Sequence, residues 1–243
     1  MDIAGKAAVV TGAAHRLGRV IALALADAGA HLIIHFHTAR AAAASTAAEI
    51  ESLGGRAVPV QADLRQPDAP DRILAAAEAA FGGVDILVNS AASMEAADVL
   101  SMGRDAWQQV LDLNLTAPFF LAQHVAHSMR ARGGGAIVNI ADLAALQPWA
   151  RYPAHSVSKA GLIMATRVLA KALAPDIRVN AIAPGPVLKP DDWDEARWRA
   201  VGARTLLKRT GSGYDVARAV LFLLQADYVT GETLIVDGGR LNA

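Results

Sequence analysis

Ala7-Ala8-Val9-Val10-Thr11-Gly12-Ala13-Ala14-His15-Arg16-Leu17-Gly18 decides the fold. Four small apolar residues, Ala7–Val10, read as a buried strand, and the polar turn after them opens directly into a helix. Leu17, Val20, Ile21, Ala24, Leu25 and Ala28 follow the spacing of one buried helix face, and Gly29 closes it as a C-terminal cap. A strand, a glycine-bearing turn and a helix in that order form a phosphate-binding turn. Gly12 permits the bend after the strand, and Gly18 lets the helix approach the sheet with its free N–H groups facing a pyrophosphate.

The pattern then repeats outward. Aliphatic runs recur at Leu32–His35, Ala57–Gln61, Ile86–Asn89, Ala136–Ile140, Arg178–Ile182 and Leu234–Val236, giving seven strands with Ala7–Val10. Gly54-Gly55 and Gly82-Gly83 close the next two helices. The alanine-rich stretch Ala39–Ala48 is a helix rather than low-complexity chain, because alanine is the best helix former and Ile50 and Leu53 follow it. Strands alternating with helices, each strand continuously apolar, predict a single-domain Rossmann fold over residues 1–243. Its sheet would be doubly wound, seven-stranded and parallel, flanked by helices on both faces.

Composition narrows the function. With 23 basic against 23 acidic residues the chain has no net field to attract nucleic acid or an acidic membrane. Absence of cysteine excludes disulfides, thiolate metal sites and cysteine nucleophiles. Met1-Asp2-Ile3-Ala4-Gly5-Lys6 carries no export signal, and apolar runs such as Val220–Leu224 are too short to span a bilayer, so a cytoplasmic location is expected. His124 and His127 sit one helical turn apart but without a visible third ligand, and no metal site is expected.

The turn Thr-Gly-Ala-Ala-x-Arg-Leu-Gly, Asn89-Ser90-Ala91-Ala92 after strand four, and Lys159 in His155-Ser156-Val157-Ser158-Lys159 together resemble the short-chain dehydrogenases/reductases over essentially the whole chain. That family usually has three glycines in the turn, and arginine at the middle one resembles its pteridine reductase-like branch. The resemblance implies that Gly12, Arg16, Leu17 and Gly18 hold cofactor phosphates, that Asp63 and Leu64 meet the adenine, and that Asn89 and Ala91 shape the backbone beside the nicotinamide. Pro184, Gly185 and Val187 would lie against its carboxamide, while Asp237-Gly238-Gly239 is a structural mark. At the end of strand two, His35-Phe36-His37-Thr38-Ala39-Arg40 lacks the carboxylate that NAD-binding sheets place on the ribose hydroxyls. Arg16, His37, Thr38 and Arg40 are available to a 2′-phosphate, so NADP(H) is the expected cofactor.

The same resemblance implies a catalytic set of Asn114, Asp142, His155 and Lys159. Asn114 would hold a water in the proton relay, and Lys159 would bind the nicotinamide ribose. Asp142 stands at the family's serine position, as in pteridine reductases, and His155 stands at the position of its proton-donating tyrosine. Histidine also donates protons, but its reference pKa is about 6.5 against about 10 for tyrosine. Lys159 would push it towards neutral and Asp142 back towards the imidazolium, so reduction should be fastest on the acidic side. Tyr152, three residues earlier, is a rival donor, although Pro153 places it at a helix boundary.

Two functions are therefore open. One is an NADP(H)-dependent oxidoreductase passing a hydride to a C=O or C=N group of a small, pterin-like substrate. The other is a catalytically silent NADP(H)-binding protein with a sensing or assembly role. Substrate contacts are expected from Arg16 and Met94, while Trp149, Trp193 and Trp198 either wall the substrate or pack their own loops. Loops 147–152 and 187–200 would close the cleft, and a lid would span about 187–205. Helices near Asn114–Arg132 and Pro153–Leu173 match those that pair subunits in the family, so a homodimer or homotetramer is expected.

Overall fold

The computed structural model describes residues 1–243. In chain order the elements are β1 (Ala7–Val10), α1 (Arg16–Asp27), β2 (His31–Phe36), α2 (Arg40–Ser52), β3 (Arg56–Gln61), α3 (Ala69–Phe81), β4 (Ile86–Asn89), α4 (Arg104–Leu111), α5 (Ala117–Ala131), β5 (Gly135–Ile140), α6 (Pro153–Leu173), β6 (Ile177–Pro184), α7 (Glu195–Gly202), α8 (Gly213–Gln225) and β7 (Thr233–Val236). The seven strands form one sheet in the order β3-β2-β1-β4-β5-β6-β7, all pairs parallel.

Strand side chains alternate between two cores, as a pleat of period two requires. Ala8, Val10, Leu32, Ile34, Ile86 and Val88 pack on the side of α1, α2 and α8; Val9, Ile33 and Leu87 pack on the side of α3, α5 and α6. Both cores are mainly aliphatic, and each fully buried side chain such as Ile33 or Leu87 contributes about 1.5–3 kcal/mol. No helix is long and apolar enough to cross a membrane.

Connections leave the sheet in opposite directions between β1 and β4, which opens a crevice beyond their carboxyl ends. Gly12 has φ +66 and its α-carbon lies against Ala91, so a side chain there would press on the chain leaving β4. A Cβ at Gly18 would stand 2.3 Å from the Gly12 carbonyl oxygen, which closes the packing of α1 on the turn.

Several sequence boundaries shift. Strand two begins at His31 and runs to Phe36, and strand six includes Pro184 instead of ending before it. Segment 187–205 is not a continuous loop: Asp194 caps α7 by accepting from the Arg197 N–H at 2.7 Å, so Trp198 stands on a helix. Between α4 and α5 the chain forms a one-turn π-helix at Asp112–Thr116.

Candidate active site

A cleft of about 420 Å³ opens at the crevice, lined by Gly12, His15, Arg16, Leu17, Gly18, His37, Thr38, Asp63, Leu64 and Ala91 among others. The first-turn N–H groups of α1 have no intrahelical acceptors and face this space. Arg16 adopts φ +52, a left-handed backbone that glycine would take without cost and that strains other residues by about 1–2 kcal/mol. Its guanidinium reaches Asp191 at 3.2 Å, so the segment after β6 touches the turn.

His35, at the end of β2, is buried. Its Nδ1 accepts the Gly12 N–H at 3.2 Å and its Nε2–H donates to the Ala62 carbonyl at 3.1 Å. Those two bonds fix the neutral form, and burial pushes the imidazole down to about 4. The bend of the phosphate turn is thereby tied to the ends of β2 and β3. Nothing in the alternation marked this inward histidine, since every residue after His31 in β2 is buried.

At the far end of β2, Arg40 is the first residue of α2 and leans over the Phe36 ring, with Gln61 beside its guanidinium. His37 lies 3.8 Å from Asp63. Arg65 donates two hydrogen bonds to the Asp63 carboxylate, at 2.9 and 2.8 Å, and holds its carboxyl down at about 2. The one acid at this rim is thus neutralised by an arginine that sequence reading missed, as it missed His15, Phe36 and Leu188 in the lining. Leu188, not Val187, faces the cleft: Val187 is packed in the core beneath.

Asn89 also turns inward. Its Nδ2 donates to Asn139 Oδ1 at 2.8 Å, and Asn139 Nδ2 donates to Thr166 Oγ1 at 2.9 Å, a buried polar ladder joining β4, β5 and α6 beneath the site. Pro184 and Gly185 lie at the end of β6, where Gly185 meets Asp237 so closely that a Cβ would stand 2.6 Å from it. Asp237 in turn accepts from the Gly239 and Leu241 N–H groups, both at 2.7 Å, which explains the Asp-Gly-Gly mark as a C-terminal clasp.

Beyond β4 and β5 the four remaining polar candidates converge. Asp142 caps the short turn Leu143–Ala145 by accepting from the Ala144 N–H at 2.7 Å, leaving its other oxygen 3.6 Å from His155 Nε2. His155 is 4% exposed, and that Nε2 has no hydrogen-bond partner. Its Nδ1 lies 3.1 Å from the Ser93 carbonyl and 3.4 Å from Asn114 Nδ2. Lys159, four residues along α6, is equally buried and donates from Nζ to the Ile140 carbonyl at 2.6 Å. Burial pushes its ammonium down to about 8, against the pull of Asp142. Tyr152 sits at the helix boundary, as Pro153 implied, with its ring edge-on to Trp149. Such a set can hold a proton at one imidazole nitrogen beside a carboxylate and a buried cation.

Met94 follows Ser93 and is half-exposed, and Trp149 is anchored by its N–H donating to Ser156 Oγ at 3.1 Å. Trp193 packs under the Arg197 guanidinium, 3.8 Å from the ring centre, and edge-on to Trp198. His124 pairs with Asp71 at 3.1 Å across α5 and α3, and no group of three or more histidine or acidic side chains is assembled to hold a metal.

Residues 12–240 match the family described as Enoyl-(Acyl carrier protein) reductase. The chain is 36% identical to 3beta-hydroxysteroid dehydrogenase 1 of Eggerthella lenta, over 98% of this chain and 94% of that one. It is likewise 36% identical to an L-rhamnose 1-dehydrogenase (NAD(P)(+)) of Azotobacter vinelandii, over 98% of each. A solved structure from Sinorhizobium meliloti, reported as a candidate short-chain alcohol dehydrogenase, superimposes with TM-score 0.93 at 35% identity, covering 100% of this chain and 98% of that one.

Proposed function

The chain belongs to the short-chain dehydrogenase/reductase family of oxidoreductases, and from that premise we propose that it is an NADP(H)-dependent reductase whose proton donor is His155. The observation that carries this reading is the bare Nε2 of a buried imidazole, 3.6 Å from the Asp142 carboxylate and one helical turn from Lys159. An inert space-filler in the same place needs no carboxylate aimed at its unpartnered nitrogen.

The cleft fits a nicotinamide dinucleotide. Gly12 and Gly18 let the turn close against Ala91 and α1, and the N-terminus of α1 borders the cleft where a pyrophosphate would sit, with Leu17 and Ala91 beside it. Arg16, His37 and Thr38 line the cleft and supply positive or donor groups for a 2′-phosphate, with Arg40 at its rim over Phe36, and Arg65 cancels the Asp63 charge that would repel it. Leu64 and the Asp63 backbone border the adenine end. Asn89, Pro184, Gly185 and Val187 support the nicotinamide end from behind through the ladder and the clasp.

When bound, the cofactor supplies the hydride. The chain's residues do the rest. His155 gives a proton from Nε2 to the substrate heteroatom, Asp142 stabilises the imidazolium that holds it, and Lys159 presents a cation to the ribose. Met94, Trp149 and Trp193 wall a flat or compact substrate bearing C=O or C=N, and residues 187–205, touching Arg16 through Asp191, cover the cleft. The named relatives act on a steroid and a sugar, so a pterin-like substrate rests on Arg16 and Asp142 alone. Val157, Met164 and Val168 form an exposed apolar stripe on α6, with Phe120 exposed on α5, and this face pairs subunits in a homodimer or homotetramer.

The test is to titrate NADPH and NADH, then assay NADPH oxidation against pterins, quinones and carbonyls for wild type, His155→Ala and His155→Tyr. Tighter NADPH binding, with turnover lost in His155→Ala, supports the reading. Binding without turnover in the wild type, restored by His155→Tyr, would instead establish a silent cofactor-binding protein.

A further inference from the structure

The hydrogen bonds around His155 leave only one tautomer open. Asn114 sits on the π-helical turn between α4 and α5, fully buried, where the extra residue swings its amide towards the site. Its Oδ1 accepts the Ser93 N–H at 2.9 Å, which fixes the orientation of the amide. Its Nδ2 then faces two acceptors: the Ser93 carbonyl at 2.9 Å and Ser158 Oγ at 3.1 Å. Ser158 has already given its own hydrogen to the His155 carbonyl at 2.8 Å, so it accepts from Asn114.

An amide nitrogen has two hydrogens, and both are now spent. None remains for His155 Nδ1, although that atom lies only 3.4 Å away. The one partner left to Nδ1 is the Ser93 carbonyl at 3.1 Å, an acceptor whose second lone pair is free. Nδ1 must therefore carry a proton in every charge state, and Nε2 is the nitrogen that gains and loses one. Nε2 is also the atom that faces Asp142 and has no partner within the protein.

We propose that Asn114, acting through the Ser93 backbone and Ser158, is a tautomer lock that holds His155 as Nδ1–H and reserves Nε2 for proton transfer. Asn114 is a positioning residue here. Its amide is filled by protein partners and leaves no donor to order a relay water. The inference rests on His155 being the proton donor, but its test does not.

The experiment is nitrogen NMR of histidine-labelled protein, free and saturated with NADPH, at a pH high enough to make the imidazole neutral. The wild type should show His155 with a protonated Nδ1 and a bare Nε2. Ser158→Ala frees one Asn114 hydrogen for Nδ1 and should move the tautomer population towards Nε2–H. Asn114→Ala, which loosens Ser93, should do the same and lower kcat on the order of 10²-fold, with the NADPH dissociation constant unchanged. A wild-type spectrum showing Nε2–H, or both variants leaving the Nδ1–H signal untouched, would overturn the lock. An Nδ1–H signal in a protein with no turnover on any substrate would uphold the lock and count against the assigned activity instead.

Discussion

Acidification should destabilise this protein through His35. Inside the fold that imidazole titrates at about 4, whereas an unfolded chain returns it to about 6.5. Between those values the unfolded state binds the extra proton and the folded state does not, so stability falls as pH drops from 6.5 to 4 and this contribution is fully present above 6.5. At about 1.4 kcal/mol per pH unit, the loss over that window is about 3 kcal/mol, a large part of the 5–15 kcal/mol typical of a domain. His35→Gln keeps an acceptor for the Gly12 N–H and a donor for the Ala62 carbonyl but cannot titrate. Urea unfolding of both proteins at half-unit steps from pH 4 to 7.5 isolates the term. Wild type minus His35→Gln should be constant above pH 6.5 and fall by about 3 kcal/mol towards pH 4, discounted for structure left in the unfolded chain. A difference that stays flat across the window would refute the buried neutral histidine and the hydrogen bonds that define it.

Lys159 gives the complementary case: depressed to about 8 from 10.5, it costs the cofactor-free fold about 3 kcal/mol below pH 8 and progressively less up to 10.5. Lys159→Met should therefore be more stable than wild type at pH 7, by up to about 3 kcal/mol before the lost Ile140 bond is counted, and lose that advantage at pH 10 in chemical denaturation. Arg16→Gly relieves a left-handed backbone and removes a cofactor contact, so thermal unfolding should be unchanged or raised by about 1 kcal/mol while NADPH binding weakens roughly 10-fold by fluorescence titration. Met164→Glu puts a charge in the apolar stripe of α6 and should raise the subunit dissociation constant at least about 10-fold in light scattering, leaving the monomer folded by circular dichroism.

The fold was legible because its signals are local and redundant: apolar runs of strand length, helix-period faces and glycines past helix ends repeat around one turn. Gly12 and Gly18 could be placed because a backbone that must approach another backbone excludes side chains. Candidate site residues could be named from the chain, but not their geometry. Asn89, Val187 and Asn114 were identified, but their contacts depend on partners such as Asn139, the core beneath β6, and Ser93, and no spacing in the chain encodes those. Arg65 escaped because its effect is on the charge of a neighbour, Asp63, two residues away. His35 escaped because a strand buried along nearly its whole length shows no alternation from which an inward polar residue stands out.

The ladder Asn89–Asn139–Thr166 ties the evolutionary fates of three residues together. Each amide satisfies the next, so an apolar replacement at one position strands a buried donor or acceptor at another, at about 1–3 kcal/mol. Replacing the whole set by apolar groups of similar shape avoids that penalty. Single steps thus cross a valley between two viable interiors, and drift at these positions should proceed by paired or triple exchange. Sequences descended from a common ancestor of this chain should keep the trio intact or lose it together.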